Sequence, residues 1–459
     1  MDIGSRLELF VDDYLVDESR NVALRMHQPV PQEIALRFNK PWEGRTSYYV
    51  TVLQDDNIFR MYYRGSGSRA EGGPQYTCCA ESTDAIRWTR PAVKLHEHAG
   101  SQDNNIIWTG FGAHNFAPFI DENPDCKPGE RYKALAGGPL IGLVSADGLH
   151  WKKLREEPVI TQGAFDSQNV AMWDTVQNQY VAYFRVFANP ETGTMSHQVS
   201  KGDLFSGVRS IARATSADFR NWSETVEINY GDTPREHLYT NAIVAYPRAP
   251  HIYLGFPKRF MTTRQAIGEH PDIGVSDGVL MSSRDGLDWD RRFMEAFLRP
   301  GRDPGNWGER SNHIARGILQ TAPDELSIYY IEHYRQPTAR LRRATVRTDG
   351  FVSVNAPYRG GEFTTPPLRF EGSRLVINYA TSAAGTVRVE LRDSKDKPIA
   401  GYTLRDCPEI YGDEIERTVS WQRGEDVAKL QRRGVRLRFV MKDADLYSLR
   451  FQPKVSPIT

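Results

Sequence analysis

Ser283-Arg284-Asp285-Gly286-Leu287-Asp288-Trp289 is one of five versions of a single phrase. The others are Ser82-Thr83-Asp84-Ala85-Ile86-Arg87-Trp88, Ser145-Ala146-Asp147-Gly148-Leu149-His150-Trp151, Ser216-Ala217-Asp218-Phe219-Arg220-Asn221-Trp222 and a worn copy, Arg347-Thr348-Asp349-Gly350-Phe351-Val352-Ser353. From aspartate to aspartate the steps are 63, 71, 67 and 64 residues. Near-equal spacing of this kind is the mark of a repeat architecture. Asp-Gly supplies a short acceptor and a residue that takes positive φ without steric cost, so the phrase reads as a tight turn between strands. The serine can hydrogen-bond locally, and the indole suits packing across the turn.

Ahead of each phrase lies another strand-forming run, at residues 59–64, 132–136, 180–187, 252–256 and 326–331. Two hairpins per period make a four-stranded sheet, and five such sheets around an axis make a five-bladed β-propeller. The blades are expected at about residues 46–88, 115–151, 168–222, 241–289 and 312–354. A terminal strand within residues 1–40 is expected to complete another blade. The run 7–16, with Asp12 and Asp13, is the strand-like part of that segment. Insertions at 190–205 and 261–276 interrupt blades three and four, where such loops overhang a binding site. From about residue 360 the phrase stops and short alternating strands continue, which reads as a β-sandwich. The division is placed at 1–358 for the propeller and 359–459 for the sandwich.

Lys+Arg and Asp+Glu both total 58, so the 459-residue chain is formally neutral. Without basic runs it has no electrostatic footprint for nucleic acid. No stretch of 18 apolar residues would span a membrane. The start lacks the pattern of a signal peptide, which leaves a cytoplasmic or a trimmed secreted protein. Oligomeric state is not legible. Cys78, Cys79, Cys126 and Cys407 have no zinc or redox spacing and are expected to be mostly buried thiols. The acidic run Asp121-Glu122-Asn123-Pro124-Asp125 lacks calcium-loop spacing and is expected to be a solvated turn.

In a propeller the innermost strands converge on the axis, and polar residues at their entrances are the first candidates for a site. Blade one offers Glu43, Arg45 and Thr46; blade two, His114 and Asn115; blade three, Asp166, Gln168 and Asn169. Blade four offers Glu236, His237, Tyr239 and Asn241; blade five, Glu309, Arg310, Asn312 and His313. Second strands add Arg64, Arg185, Lys258, Arg259, Glu332 and His333. Carboxylates at four of five addresses suit glycoside hydrolysis, which needs two across one bond. The expected pair is Asp166 with Glu236, supported by Glu43 or Glu309, with the remaining residues binding a carbohydrate. Lys258-Arg259 would suit a uronate or sulfated sugar. No cofactor is required, although His114, His237 and His313 could bring a divalent cation to the axis and support a metal-assisted lyase. A non-catalytic carbohydrate-binding protein is the third alternative.

The phrase and the blade count resemble the propellers of glycoside hydrolase families 43 and 32, and a sandwich after the propeller resembles family 32 in particular. Leu9-Phe10-Val11-Asp12-Asp13-Tyr14-Leu15 and Asp443-Ala444-Asp445-Leu446-Tyr447 are similar to segments of bacterial proteins related to family 32. The resemblance implies an aspartate in blade one, an aspartate in a following blade and a glutamic acid further on. Asp166 and Glu236 match such addresses in blades three and four, whereas blade one offers Glu43. Arg302-Asp303-Pro304 matches the family's triplet but stands before blade five.

Overall fold

The computed structural model describes residues 1–66, 73–196, 207–270 and 272–453. Parts of the loop at 64–76 and of the two expected insertions lie outside the described residues. The chain forms two compact units, residues 29–345 and residues 1–28 with 346–459.

The first unit contains five sheets with a path of four strands each, and a two-stranded ribbon, Lys258–Met261 with Val275–Gly278. Blade one comprises Tyr48–Asp55, Ile58–Ser66, Gln75–Ser82 and Ile106–Thr109. Blade two comprises Ala117–Ile120, Tyr132–Gly137, Leu140–Ser145 and Lys152–Lys153. Blade three follows with Val170–Asp174, Gln179–Ala188, Val208–Ser216 and Val226–Glu227. Blade four has Val244–Tyr246, Ala249–Gly255, Met281–Ser283 and Trp289–Asp290. Blade five takes Leu319–Ala322, Glu325–Glu332 and Arg340–Arg347 from its own stretch and borrows Val30–Arg37 as its fourth strand. The five-bladed propeller expected from the repeat is therefore present.

The repeated phrase joins third to fourth strands. In its four full copies the aspartate Oδ1 accepts two backbone N–H groups, as Asp285 does from Leu287 and Asp288 at 2.8 Å each. The serine Oγ donates to the same oxygen, at 3.1 Å from Ser283 to Asp285. Three of the indoles close the turn on a carbonyl three residues back, Trp151 on Gly148, Trp222 on Phe219 and Trp289 on Gly286. Positive φ falls after the aspartate, at Ala85, Gly148, Phe219 and Gly286. At Gly286 there is a second demand, because an added Cβ would stand 2.4 Å from the Tyr183 hydroxyl of blade three. That hydroxyl donates to the Gly286 carbonyl at 2.8 Å, and Tyr329 of blade five similarly donates to Ala85 in blade one. The phrase thus ties each blade internally and also holds it to a neighbour.

A second tie recurs lower in the blades. Tyr132, Tyr180 and Tyr253, on successive second strands, donate to Asp55, Asp121 and Asp174 at the ends of the preceding inner strands. One member of the acidic run departs from the expected solvated turn: the Asp121 carboxylate is fully enclosed and paired with Lys133 at 2.5 Å, a structural ion, while Glu122, Pro124 and Asp125 are exposed.

The expected terminal strand does complete a blade: it is Val30–Arg37, while Glu8–Leu9, inside the run 7–16, pairs instead with Val435–Gln452. The worn fifth phrase does not turn into a fourth strand of blade five. Its Val352–Ala356 strand pairs with Ala23–Met26 and Val435–Gln452 in the other unit. Leaving the blade there moves the division from residue 358 to residue 345 and sends residues 1–28 to the second unit.

In that second unit eight strands form one connected sheet, dominated by Arg374–Asp393 and Val435–Gln452. Phe10, Phe363, Phe439, Phe370, Phe451 and Trp421 are buried in its apolar core. Cys78, Cys79 and Cys407 are buried free thiols and Cys126 is partly exposed. Among the described residues no helix is long and apolar enough to cross a membrane.

Candidate functional site

Inner strands enter the axis at one end of the propeller and leave it at the other. Toward the leaving end Arg316 spans the channel, buried, and among the described residues its side-chain hydrogen-bond partners are all carbonyls. It donates to Pro118 of blade two at 3.1 Å, Ala171 of blade three at 3.0 Å and Ile243 of blade four at 3.5 Å. Its own backbone N–H donates to Val50 of blade one at 2.9 Å. Burial lowers its pKa to about 10, the sign expected for a cation removed from water. Gln168 adds to this seam by donating to Val50 and Thr51.

The entrance end opens as a pocket lined by Thr46, Tyr48, Tyr49, Arg64, Gln75, His114, Asp166, Arg310, Tyr334 and Arg335. Asp166 is the one carboxylate among these lining residues. Its Oδ1 lies 2.9 Å from His114 Nε2, and His114 Nδ1 lies 2.9 Å from Gln75. The Asp166 side chain is half exposed, at 54%. Crowding by protein works to raise its pKa, but the His114 hydrogen bond and the charges of Arg185, His114 and Arg310 outweigh it. Asp166 is held ionised, well below the usual carboxylate range.

Aromatic rings and cations share the walls. Tyr48 and Tyr49 touch edge to face at 4.8 Å, and Tyr48 stacks on His313 at 4.5 Å. Tyr49 reaches its position through φ of 51°, in the left-handed region that a bulky residue rarely occupies. Arg310, Asn312, His333 and Arg335 also have positive φ. Such clustering of strained backbone is typical of working sites. Arg64 reaches the Thr46 carbonyl at 2.7 Å and lies 5.0 Å from the Tyr49 ring. The Tyr239 hydroxyl lies 3.3 Å from that of Tyr49. Lys258 is wholly buried against the Tyr239 ring, and burial, with Arg310 next, depresses its pKa strongly.

Asp166, His114, Tyr239, Lys258, Arg310 and His313 are thus gathered around the entrance, whereas other expected site residues serve the framework. Glu43 is buried and receives Tyr63, Arg90 and the Lys40 N–H. Glu236 does not line the pocket, and its oxygens lie 3.3 Å from Arg259 and 2.7 Å from Arg291. Arg259 is also clamped to Asp277 at 2.6 Å. The geometry therefore gives the Asp166–Glu236 pairing no support. Glu309 is buried between Arg310 and Arg335, at 2.9 and 2.8 Å. Asn115, Asn169, Asn241 and Asn312 donate to backbone carbonyls around the strand entrances, a repeated fastening that the sequence pattern mimicked as a site. His237 accepts from the Arg209 backbone at 3.2 Å, and His333 bridges Asp303 and Thr338. Asp303 also receives Arg340, so the Arg302-Asp303-Pro304 triplet is structural here. Arg45 is exposed at the rim. Among the described residues no group of three or more His, Cys, Asp or Glu side chains is placed to hold a metal ion.

Tyr48, Tyr49, Gln75, Arg209, Tyr334 and Arg335 were not anticipated. The adjacent tyrosines at the first inner strand were a legible signal. Gln75 and Arg209 stand at the starts of third strands, and no spacing rule points to them.

No family model matches the sequence, and no curated protein matches it. Solved structures do. One described as a glycoside hydrolase is 13% identical, covering 70% of this chain and 92% of its own, with a TM-score of 0.48. A family 43 arabinoxylan arabinofuranohydrolase from Bacillus subtilis is 10% identical over 93% of this chain and 99% of its own, with a TM-score of 0.41. The catalytic domain of a Coprinopsis cinerea family 62 α-L-arabinofuranosidase is 10% identical over 71% and 98%, with a TM-score of 0.44.

Proposed function

We propose that this protein is a glycoside hydrolase acting on an oligo- or polysaccharide at the axial pocket. The observation that carries the reading is Asp166, a carboxylate kept ionised at the mouth of a pocket walled by tyrosines. An ionised carboxylate beside a sugar ring stabilises the oxocarbenium-like transition state or acts as nucleophile or base. In that state Asp166 does not donate the proton that the leaving oxygen needs. His114, hydrogen-bonded to Asp166 in the same pocket, is the titratable side chain placed to do so.

A second reading is β-elimination on a uronate. It is favoured by the single lining carboxylate among so many cations and phenols. Removing a proton beside a sugar carboxylate calls for cations on that carboxylate and a base, with no second carboxylic acid required.

Wild type and Asp166→Asn should be incubated with a broad glycan panel, with reducing ends and near-ultraviolet absorbance both followed. New reducing ends without absorbance are expected from wild type. The variant should lose at least about a hundredfold in rate per folded molecule, with its circular dichroism unchanged. Full activity in the variant removes the assignment. Absorbing products replace hydrolysis with elimination.

A further inference from the structure

Four basic groups crowd a single phenol ring. Lys258 Nζ lies 3.9 Å from the Tyr239 ring centroid, and the guanidinium carbons of Arg185, Arg310 and Arg209 lie 5.1, 5.5 and 5.7 Å away. The ring face attracts each of them, yet they repel one another in a site largely shut off from water. Glu309 is already divided between Arg310 and Arg335. Among the described residues neither Arg185 nor Lys258 has a carboxylate within ion-pairing distance.

A second, independent observation concerns hydrogen bonding. The Lys258 Nζ, the Tyr48 Oη and both ring nitrogens of His313 are buried and have no hydrogen-bond partner among the described residues. Tyr48 stacks on His313, and Lys258 lies 5.7 Å from the Tyr48 ring, so these atoms belong to one locality beneath the pocket. Buried polar groups are normally satisfied. A nest of unsatisfied groups under excess positive charge is organised for something that brings acceptors and negative charge together.

Resting on the axial pocket as the carbohydrate site, we infer that the sugar it takes carries an anionic substituent, a ring carboxylate or a sulfate ester, seated on the cations around Tyr239. One oxyanion supplies acceptors to several donors at once and relieves the repulsion that Lys258 and Arg185 meet from their basic neighbours. A neutral sugar would leave that repulsion in place, so the same arrangement also rejects the uncharged analogue.

Binding to Asp166→Asn should be measured by calorimetry with a uronic acid oligosaccharide, the same oligosaccharide reduced to neutral sugars, and a sulfated neutral oligosaccharide. At least one charged ligand should bind about tenfold or more tightly than the reduced one, the scale of one charged contact, and the advantage should shrink with salt. Lys258→Met, which keeps the buried stem, and Arg310→Gln, nearer the surface, should each erase most of that advantage with circular dichroism unchanged. Equal binding of the reduced ligand, or no charge-dependent binding to any of the three, overturns the inference. Turnover of neutral glycans alone would retain the hydrolase and discard the anion. Charged binding without turnover by wild type would do the opposite.

Discussion

Replacing Arg316 with methionine tests what holds the ring of blades together at its centre. The substitution keeps most of the volume and removes the donors that reach Pro118 and Ala171 at 3.1 and 3.0 Å, with a longer contact to Ile243. Hydrogen bonds from a charged donor are worth about 1.5–3 kcal/mol each net, and orphaned buried acceptors add to the loss. Against this, methionine escapes the desolvation that pulls the guanidinium pKa down to about 10. Two good bonds less that relief leave an expected cost of about 2–4 kcal/mol. With an unfolding entropy of about 2.1 cal/mol/K per residue over roughly 300 residues, the melting temperature should fall by about 3–6 °C. Calorimetry and urea titration, on wild type and variant under identical conditions, read this directly. Arg316→Lys should fall between the two, because one ammonium cannot face three divergent carbonyls. A methionine variant within about 0.5 kcal/mol of wild type, or more stable, would refute the reasoning. The guanidinium would then be a buried burden rather than a fastening.

Two other outcomes follow from groups that the site does not use. Glu43→Gln leaves Arg90 and Tyr63 facing an amide in a buried position, and should cost about 3–5 kcal/mol in urea titration. Its turnover per folded molecule should be unchanged; a loss of activity at full stability would return Glu43 to the chemistry. His237 is pulled down to about 4 by burial and then by Arg209. Between about pH 6.5 and 4 the unfolded chain binds a proton that the folded chain refuses, so stability should fall as pH drops through that window. The decline should be shallower in His237→Asn, and superimposable stability–pH curves for the two proteins would reject it.

The blade count was legible because the turn phrase carries its own physics. A carboxylate that accepts two N–H groups, and a following residue at positive φ, leave a recognisable local signature. Closure by a terminal strand was legible, but its address was not. The fourth strand of blade five is separated from its partner by some three hundred residues, and nothing in Val30–Arg37 announces which sheet it joins. The site was legible by address and misread by role. Asn115, Asn169, Asn241 and Asn312 stand where ligand-binding residues would, yet they satisfy backbone carbonyls. A donor facing a carbonyl and a donor facing a sugar look alike in one dimension. Glu43 and Glu236 became framework for a similar reason, since the arginines that claim them, Arg90 and Arg291, come from distant turns.

The borrowed strand of blade five also has a consequence for synthesis. Val30–Arg37 leaves the ribosome early, but Arg340–Arg347, against which it is zipped, follows only after about 15–60 s at ordinary elongation rates. Throughout that delay a bare β-edge is offered to any passing chain, and such edges invite aggregation. The segment carries its own protection. Pro31 removes one donor from the ladder, and Glu33, which later meets Arg343, places charge on the strand while it waits.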